Sequence, residues 1–131
     1  MADHQPIIPS ASQPIKDAII NENFRRFEDS VSTNNLLTRP ISTVTLATTL
    51  NASHYTLLVD ATAGATTVSL PPAATYPGRV YVIKKMDASA NNVVIDGSGS
   101  ETIDGAATKT TNTQYAGWQI QSNGTNWIIL P

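Results

Sequence analysis

The sequence predicts a mainly β protein: a short N-terminal arm and one α-helix, then a small antiparallel β-sandwich or barrel-like domain. Three observations carry that prediction. The apolar period changes from helical to alternating near residue 41. Charged residues are only 14% of the 131-residue chain, and Thr, Ser, Asn, Ala and Gly fill their place, as in β proteins with many turns. Turn signals at Pro77-Gly78, Asn91-Asn92, Asp104-Gly105 and Asn123-Gly124 punctuate the second part of the chain.

The bulk numbers exclude several function classes. The length suits one modest domain with an appendage. A hydrophobic share of 40% with low net charge argues against a disordered chain. The formal net charge is −2, so no basic face is expected for nucleic acid or an anionic membrane. There is no cysteine, hence no disulfide and no thiolate metal site. The opening MADHQPIIPS lacks the basic start and apolar stretch of a signal peptide. No apolar run approaches the roughly 18 residues of a spanning helix. The expectation is synthesis in a cytosol without membrane insertion.

Residues 1–13 read as an extended arm, because Pro6, Pro9 and Pro14 disfavour regular helix. Ile7 and Ile8 stand side by side between prolines and are the candidate anchoring residues, seated either on a partner or on the chain's own domain. Residues 14–35 carry the helix. Ser12 can cap its start, Pro14 suits the first turn, and Asp17 and Glu22 precede Arg25 and Arg26 as the helix dipole prefers. Ile20, Phe24, Phe27 and Val31 are spaced 4, 3 and 4 residues apart, a heptad seam. About two heptads make a marginal free coiled coil. The seam therefore either lies on the β domain or packs against identical helices as an oligomerisation element. Asn34, Asn35, Thr38 and Pro40 end it.

Residues 36–131 form the all-β domain. Strands are expected over 41–49, 54–61, 65–70, 79–86, 93–96, 102–103, 108–111, 115–122 and 125–130. Asn123-Gly124 predicts a type I′ hairpin between the last two. Val80, Val82 and Met86 share one face of their strand, with Tyr81 and Ile83 on the other. Ile128 and Leu130 similarly oppose Trp127 and Ile129. Strands apolar on both faces need cover on both sides, by a second sheet or a neighbouring subunit. The two IDG segments, at residues 95–97 and 103–105, read as successive turns rather than a repeat.

Catalytic chemistry is sparse. His4 and His54 have no metal-ligand neighbours at useful spacing, and there is no G-x-S-x-G elbow. The densest polar stretch is DGSGSETID, with Asp96, Glu101 and Asp104. It fails as an EF-hand, since Glu101 stands at the sixth position and Ala107 at the twelfth. Its acids read first as turn residues serving their own backbone, and second as a weak ion or glycan contact. Trp118 is the aromatic candidate for such a contact, against plain packing. No catalytic residue, cofactor site or metal site is expected, so the chain reads as a non-enzyme.

Two stretches resemble a known family. Asn21-Glu22-Asn23-Phe24-Arg25-Arg26-Phe27-Glu28 resembles the N-x-N-F-R-x-hydrophobic-E helix near the start of many phage tail and fibre proteins. TLLVDATAGATTVSLPPA, PGRVYVIKKMDASANNVVIDGSGSETIDGA and WQIQSNGTNWIIL resemble a β module recurrent in phage fibres, tail appendages and head decorations. The resemblance covers roughly residues 20–130. It implies a virion structural protein, usually a homotrimer, held by its N-terminal part; residues 1–13 would attach to a capsid or tail protein. There is no extended shaft, so a short fibre, spike or head decoration fits better than a long fibre. The location implied is the virion, assembled in the host cytoplasm. The alternative is a host-attachment module that binds a receptor or surface glycan.

Overall fold

The computed structural model describes residues 38–131. The arm, the helix and the residues Ile7, Ile8, Ile20, Phe24, Phe27 and Val31 lie outside the described residues. The chain divides into two units, Met1–Arg39 and Pro40–Pro131. The second is mainly β. Its strands are β1 (Ile41–Val44), β2 (Thr48–Thr49), β3 (Thr56–Val59), β4 (Thr66–Ser69), β5 (Val80–Lys85), β6 (Val93–Asp96), β7 (Thr108–Thr111), β8 (Gly117–Ser122) and β9 (Trp127–Leu130).

The strands form two mixed sheets, neither of them closed. Sheet A has the order β1-β3-β5-β8-β9 and sheet B the order β2-β4-β6-β7. The pairs β1/β3, β3/β5, β2/β4 and β4/β6 are parallel, while β5/β8, β8/β9 and β6/β7 are antiparallel. This corrects the expected antiparallel, barrel-like arrangement. The physical reason is the path of the chain. From β1 to β6 each strand lies in the opposite sheet from the one before. The chain thus re-enters each sheet from the same end, and neighbours run parallel. The expected single strand over 41–49 accordingly breaks at residues 45–47, where the chain crosses from sheet A to sheet B.

The core lies between the sheets. Alternation puts Leu57 and Val59 of β3, Tyr81 and Ile83 of β5, and Ile120 of β8 on the inner face of sheet A; Val68, Val93 and Ile95 answer from sheet B. Trp127 is the largest fully buried side chain, its ring 5.6 Å from that of Tyr81. Each such aliphatic side chain contributes about 1.5–3 kcal/mol of burial. The Tyr81 hydroxyl donates to the Asn51 carbonyl at 2.9 Å, which satisfies its polar end. Arg79 stacks over the Tyr81 ring at 5.1 Å and donates to the carbonyls of Ala52 and His54, tying the 51–54 turn to β5.

One charge is buried among these groups. Lys85 is fully buried, and its ammonium meets the Asp87 carboxylate at 2.5 Å. Asp87 also accepts from the N–H groups of Ala61 (2.6 Å) and Ser89 (3.0 Å) and from the Ser89 hydroxyl. Asn91 donates to the Ala61 carbonyl at 2.8 Å. The cluster pins the turn after β3 to the turn after β5. Burial alone would push the Asp87 carboxyl up, but these donors together hold it well below the usual carboxylate range.

The last hairpin forms with a different turn. The final pair is Ser122↔Trp127, so residues 123–126 make a four-residue loop rather than a two-residue type I′ turn. Asn123 Oδ1 accepts from the N–H groups of Thr125 (3.0 Å) and Asn126 (2.8 Å), and the left-handed position falls on Gly124, at φ 92°. The Asn123 side chain thus supplements a single backbone bond across the loop, from Asn123 N–H to the Asn126 carbonyl at 3.0 Å. The short strand expected at 102–103 reduces to two isolated bridges of Ile103, one with Ala106 and one with Trp127.

Candidate interaction surface

The register divides each sheet into an inner and an outer face. On the outer face of sheet A, one row runs Ile41, Thr56, Val82, Gln119, Leu130 across the five strands. On one side of it lies Val80, Gln121, Ile128; on the other, Thr43, Leu58, Lys84, Gly117. Six of these residues are large and aliphatic, and Lys84 carries the only charge. Ile41 is 65% exposed and Ile128 36%.

The outer face of sheet B differs in kind. Its rows are Thr49, Ser69, Asp96, Thr108 and Thr67, Val94, Thr110. Hydroxyl groups dominate, and Val94 is the one apolar side chain. Both faces belong to one small domain, so the contrast is a property of the faces and not of overall composition. Water solvates the hydroxyl face readily. The other face leaves two aliphatic groups on the surface, Leu58 with Val80 and Val82 and, beyond Gln119 and Gln121 of β8, Ile128 with Leu130, and exposed apolar surface of this kind can mark an interaction site.

A shallow cleft of about 340 Å³ lies at one end of the apolar face, lined in part by Val82, Lys84, Tyr115, Gly117, Gln119 and Leu130. Gly117 is required there. A Cβ at that position would stand 2.8 Å from Lys84 Cα and nearer still to the Ile83 carbonyl oxygen. Tyr115 forms the rim, with a backbone φ of 65° and a ring that is 60% exposed. A left-handed backbone is uncommon for a bulky side chain. Its N–H donates to the Lys85 carbonyl at 2.8 Å, which holds the turn, and the Lys84 ammonium lies 5.7 Å from the ring centre.

The candidate ligand contacts Asp96, Glu101, Asp104 and Trp118 do not converge on one place. Asp96 is on the outer face of sheet B. Both Glu101 carboxylate oxygens accept from the Ala73 N–H, at 2.9 and 3.1 Å, which anchors the 3-10 turn at Ala73–Thr75. Asp104 accepts from the Ile129 N–H at 3.0 Å. Trp118 is paired with Ile83, packs half-buried against the core and also lines the cleft beside Tyr115. Among the described residues, no group of three or more His, Cys, Asp or Glu is placed to hold a metal ion. No helix among them is long and apolar enough to cross a membrane.

Asp104 has a further effect on sheet A. Segment 102–104 lies along the start of β9, with Trp127 N–H donating to Thr102 O (2.9 Å) and Asp104 N–H to Trp127 O (3.0 Å). Together with the Asp104 carboxylate, it takes up the Trp127 N–H, the Trp127 carbonyl and the Ile129 N–H of this edge strand. Strand addition along the start of β9 would have to displace these bonds. Sequence reasoning identified the two-faced strands β5 and β9 but missed Gly117. Leu58 reads as one of a run of apolar residues until the register places it. No protein-family model matches the chain, and no curated protein matches it.

Proposed function

We propose that the chain is a non-enzymatic structural component of a tailed-phage virion, a short fibre, spike or head decoration. It anchors through residues 1–13 to a capsid or tail protein and projects a trimeric β domain. The helix seam at Ile20, Phe24, Phe27 and Val31 serves oligomerisation, and no cofactor is required. The observation that supports this reading best is the apolar outer face of sheet A, on a domain whose opposite outer face is polar. Such a face suits a chain that works in contact with other copies. Antibody against residues 38–131, applied to phage particles in electron microscopy, tests it. Label at fixed positions on head or tail is the expected result; purified particles that bear none of the protein would refute the reading.

The cleft beside Tyr115 favours a second reading, a glycan-binding attachment module. An exposed aromatic ring, an amide at Gln119 and an ammonium at Lys84 could stack and hydrogen-bond a sugar ring. The two readings compete for one surface, since a copy seated on sheet A covers the cleft. Saturable glycan binding on an array, lost in Tyr115→Ala, favours the second.

A further inference from the structure

Resting on the structural reading above, in which the domain works against other proteins, we infer that the cleft at Tyr115 docks an extended, proline-bearing segment of a partner protein that also carries a carboxylate. The shape of the cleft, its polar groups and its aromatic rim each point to that chemistry.

The register builds the slot. Gly117 pairs with Lys84 of β5, but the pairs of β8 with β9 stop at Gln119 and Leu130. The cleft therefore opens over a residue without a side chain, at the corner where β9 ends. Val82 and Lys84 border it on the β5 side, Leu130 and Pro131 on the β9 side, and Tyr115 closes its end. Its volume of about 340 Å³ lies at the small end of ligand pockets, which run from about 300 to 1,000 Å³. Two residues either way from Gly117 reach Tyr115 and Gln119, at most about 14 Å of extended chain. A polyproline II segment rises about 3.1 Å per residue with three residues per turn. The slot thus takes about four of its residues, with two prolines three positions apart on the edge that faces the floor.

The polar groups select the occupant. Gln114 and Gln121 donate to the carbonyls of Met86 and Gly78, at 3.1 and 3.0 Å. The Gln119 amide and the Tyr115 hydroxyl make no such bond to any described residue. The Lys84 ammonium, near the Tyr115 ring, is the one charged side chain along the cleft, and no Asp or Glu lines it. Lys84, Tyr115 and Gln119 can all donate, while only the last two can accept. A polyproline II segment needs donors of this kind: its carbonyls have no internal partner, and each proline removes a competing N–H. A sugar brings many hydroxyl donors, for which this lining has few acceptors. The single ammonium calls for one carboxylate on the segment.

The aromatic rim fixes the mode of binding. The Tyr115 ring is largely exposed, yet its backbone is pinned in the left-handed region by the N–H bond to the Lys85 carbonyl. Proline rings dock against aromatic side chains set in such grooves. Neither partner loses much freedom on binding, because the segment is preformed and the backbone that carries the ring is already held.

The test titrates the full chain into a fluorescein-labelled hexaproline peptide that carries one glutamate, with anisotropy as the readout. The control probe replaces the prolines with glycine and serine. Saturable binding at least about tenfold tighter than the control is expected. Tyr115→Gly removes the ring at a position whose backbone suits glycine, so the fold is kept, and it should weaken binding about fivefold or more. Lys84→Gln should abolish the few-fold advantage of the glutamate and leave binding of plain hexaproline unchanged. Thr67→Ala, on the outer face of sheet B, should match wild type. Hexaproline bound no better than the control, or bound equally by Tyr115→Gly, overturns the site. A neutral oligosaccharide that binds and is lost in Tyr115→Gly, with no proline binding, overturns it in favour of the glycan. Either failure leaves the structural reading standing, since that reading is tested separately by labelling of the particles.

Discussion

Replacing Gly117 with alanine isolates one close approach in the fold. The residue has ordinary strand backbone, so the substitution brings no left-handed strain. The cost comes from space alone: the new methyl meets Lys84 Cα at 2.8 Å and the Ile83 carbonyl oxygen closer still, all of it backbone. Neither partner can rotate away, so β8 must retreat from β5 by about 1 Å to restore normal contact. Two hydrogen bonds close this end of the pair, Lys85 N–H to Ala116 O at 2.9 Å and Tyr115 N–H to Lys85 O at 2.8 Å. Losing both costs about 1–3 kcal/mol. Reduced freedom of the unfolded chain returns about 0.4–1 kcal/mol. The net loss is about 1–2 kcal/mol, which for a domain of this size lowers the melting temperature by roughly 5–15 °C. Circular dichroism melts of wild type and Gly117→Ala measure it. A variant that melts within about 2 °C of wild type would show that β8 yields without losing those bonds, and the packing account of Gly117 would be wrong.

Two further outcomes are expected. The Asp87 carboxyl is depressed in the folded domain relative to about 3.9 in an unfolded chain, so its contribution is present above pH 4 and is lost as pH falls below that. Asp60 acts in the same direction, lowered by hydrogen bonds from Thr62. Urea midpoints should therefore fall between pH 5 and pH 2.5, and Asp87→Asn should flatten that fall; an equally steep decline in the variant would remove Asp87 from the account. Trp127 is fully buried, yet its Nε1 has no hydrogen-bond acceptor. Trp127→Phe should therefore cost less than about 1.5 kcal/mol, because it relieves an unpaired donor, while Trp127→Ala should cost about 3–5 kcal/mol. Chemical denaturation of both variants checks this, and equal losses would contradict it.

Much of the secondary structure was legible in the sequence, because a half-buried strand announces itself by alternation. Val93–Asp96 and Thr108–Thr111 have the expected bounds, and β3, β4, β5, β8 and β9 fall within one to two residues of them at most ends. Pairing was not legible. Alternation says which side chains share a face but not which strand lies alongside. Parallel coils often betray themselves by a repeat, and here there is none to find. Along sheet A the register steps 15 residues from Thr43 to Leu58 and then 26 from Leu58 to Lys84. The extra length of the second step holds the proline-rich turn at 71–78, so equivalent positions in the two coils share no sequence pattern. The turn chemistry around Asn123 was half legible: the hairpin formed, but its loop is longer and the Asn side chain bonds within it.

The surface was legible in pieces that only the topology joins. Val80, Val82, Ile128 and Leu130 each stand opposite a core residue in their own strand, so their exposure on a second face could be read directly. Whether they form one patch depends on β5, β8 and β9 being neighbours in register, and Leu58 joins them only because β3 pairs with β5 in parallel. The same topology spreads the outward aliphatic side chains over sheet A, with Leu58, Val80 and Val82 on inner strands and Ile41, Ile128 and Leu130 on the edge strands β1 and β9. In sheet B the central strands β4 and β6 turn Thr67, Ser69 and Asp96 outward with Val94. A sheet that leaves its edges apolar can be covered by a loop. A sheet that carries aliphatic side chains outward on inner and edge strands alike is covered only by something as wide as itself, and under the proposed function that cover is another copy of the chain.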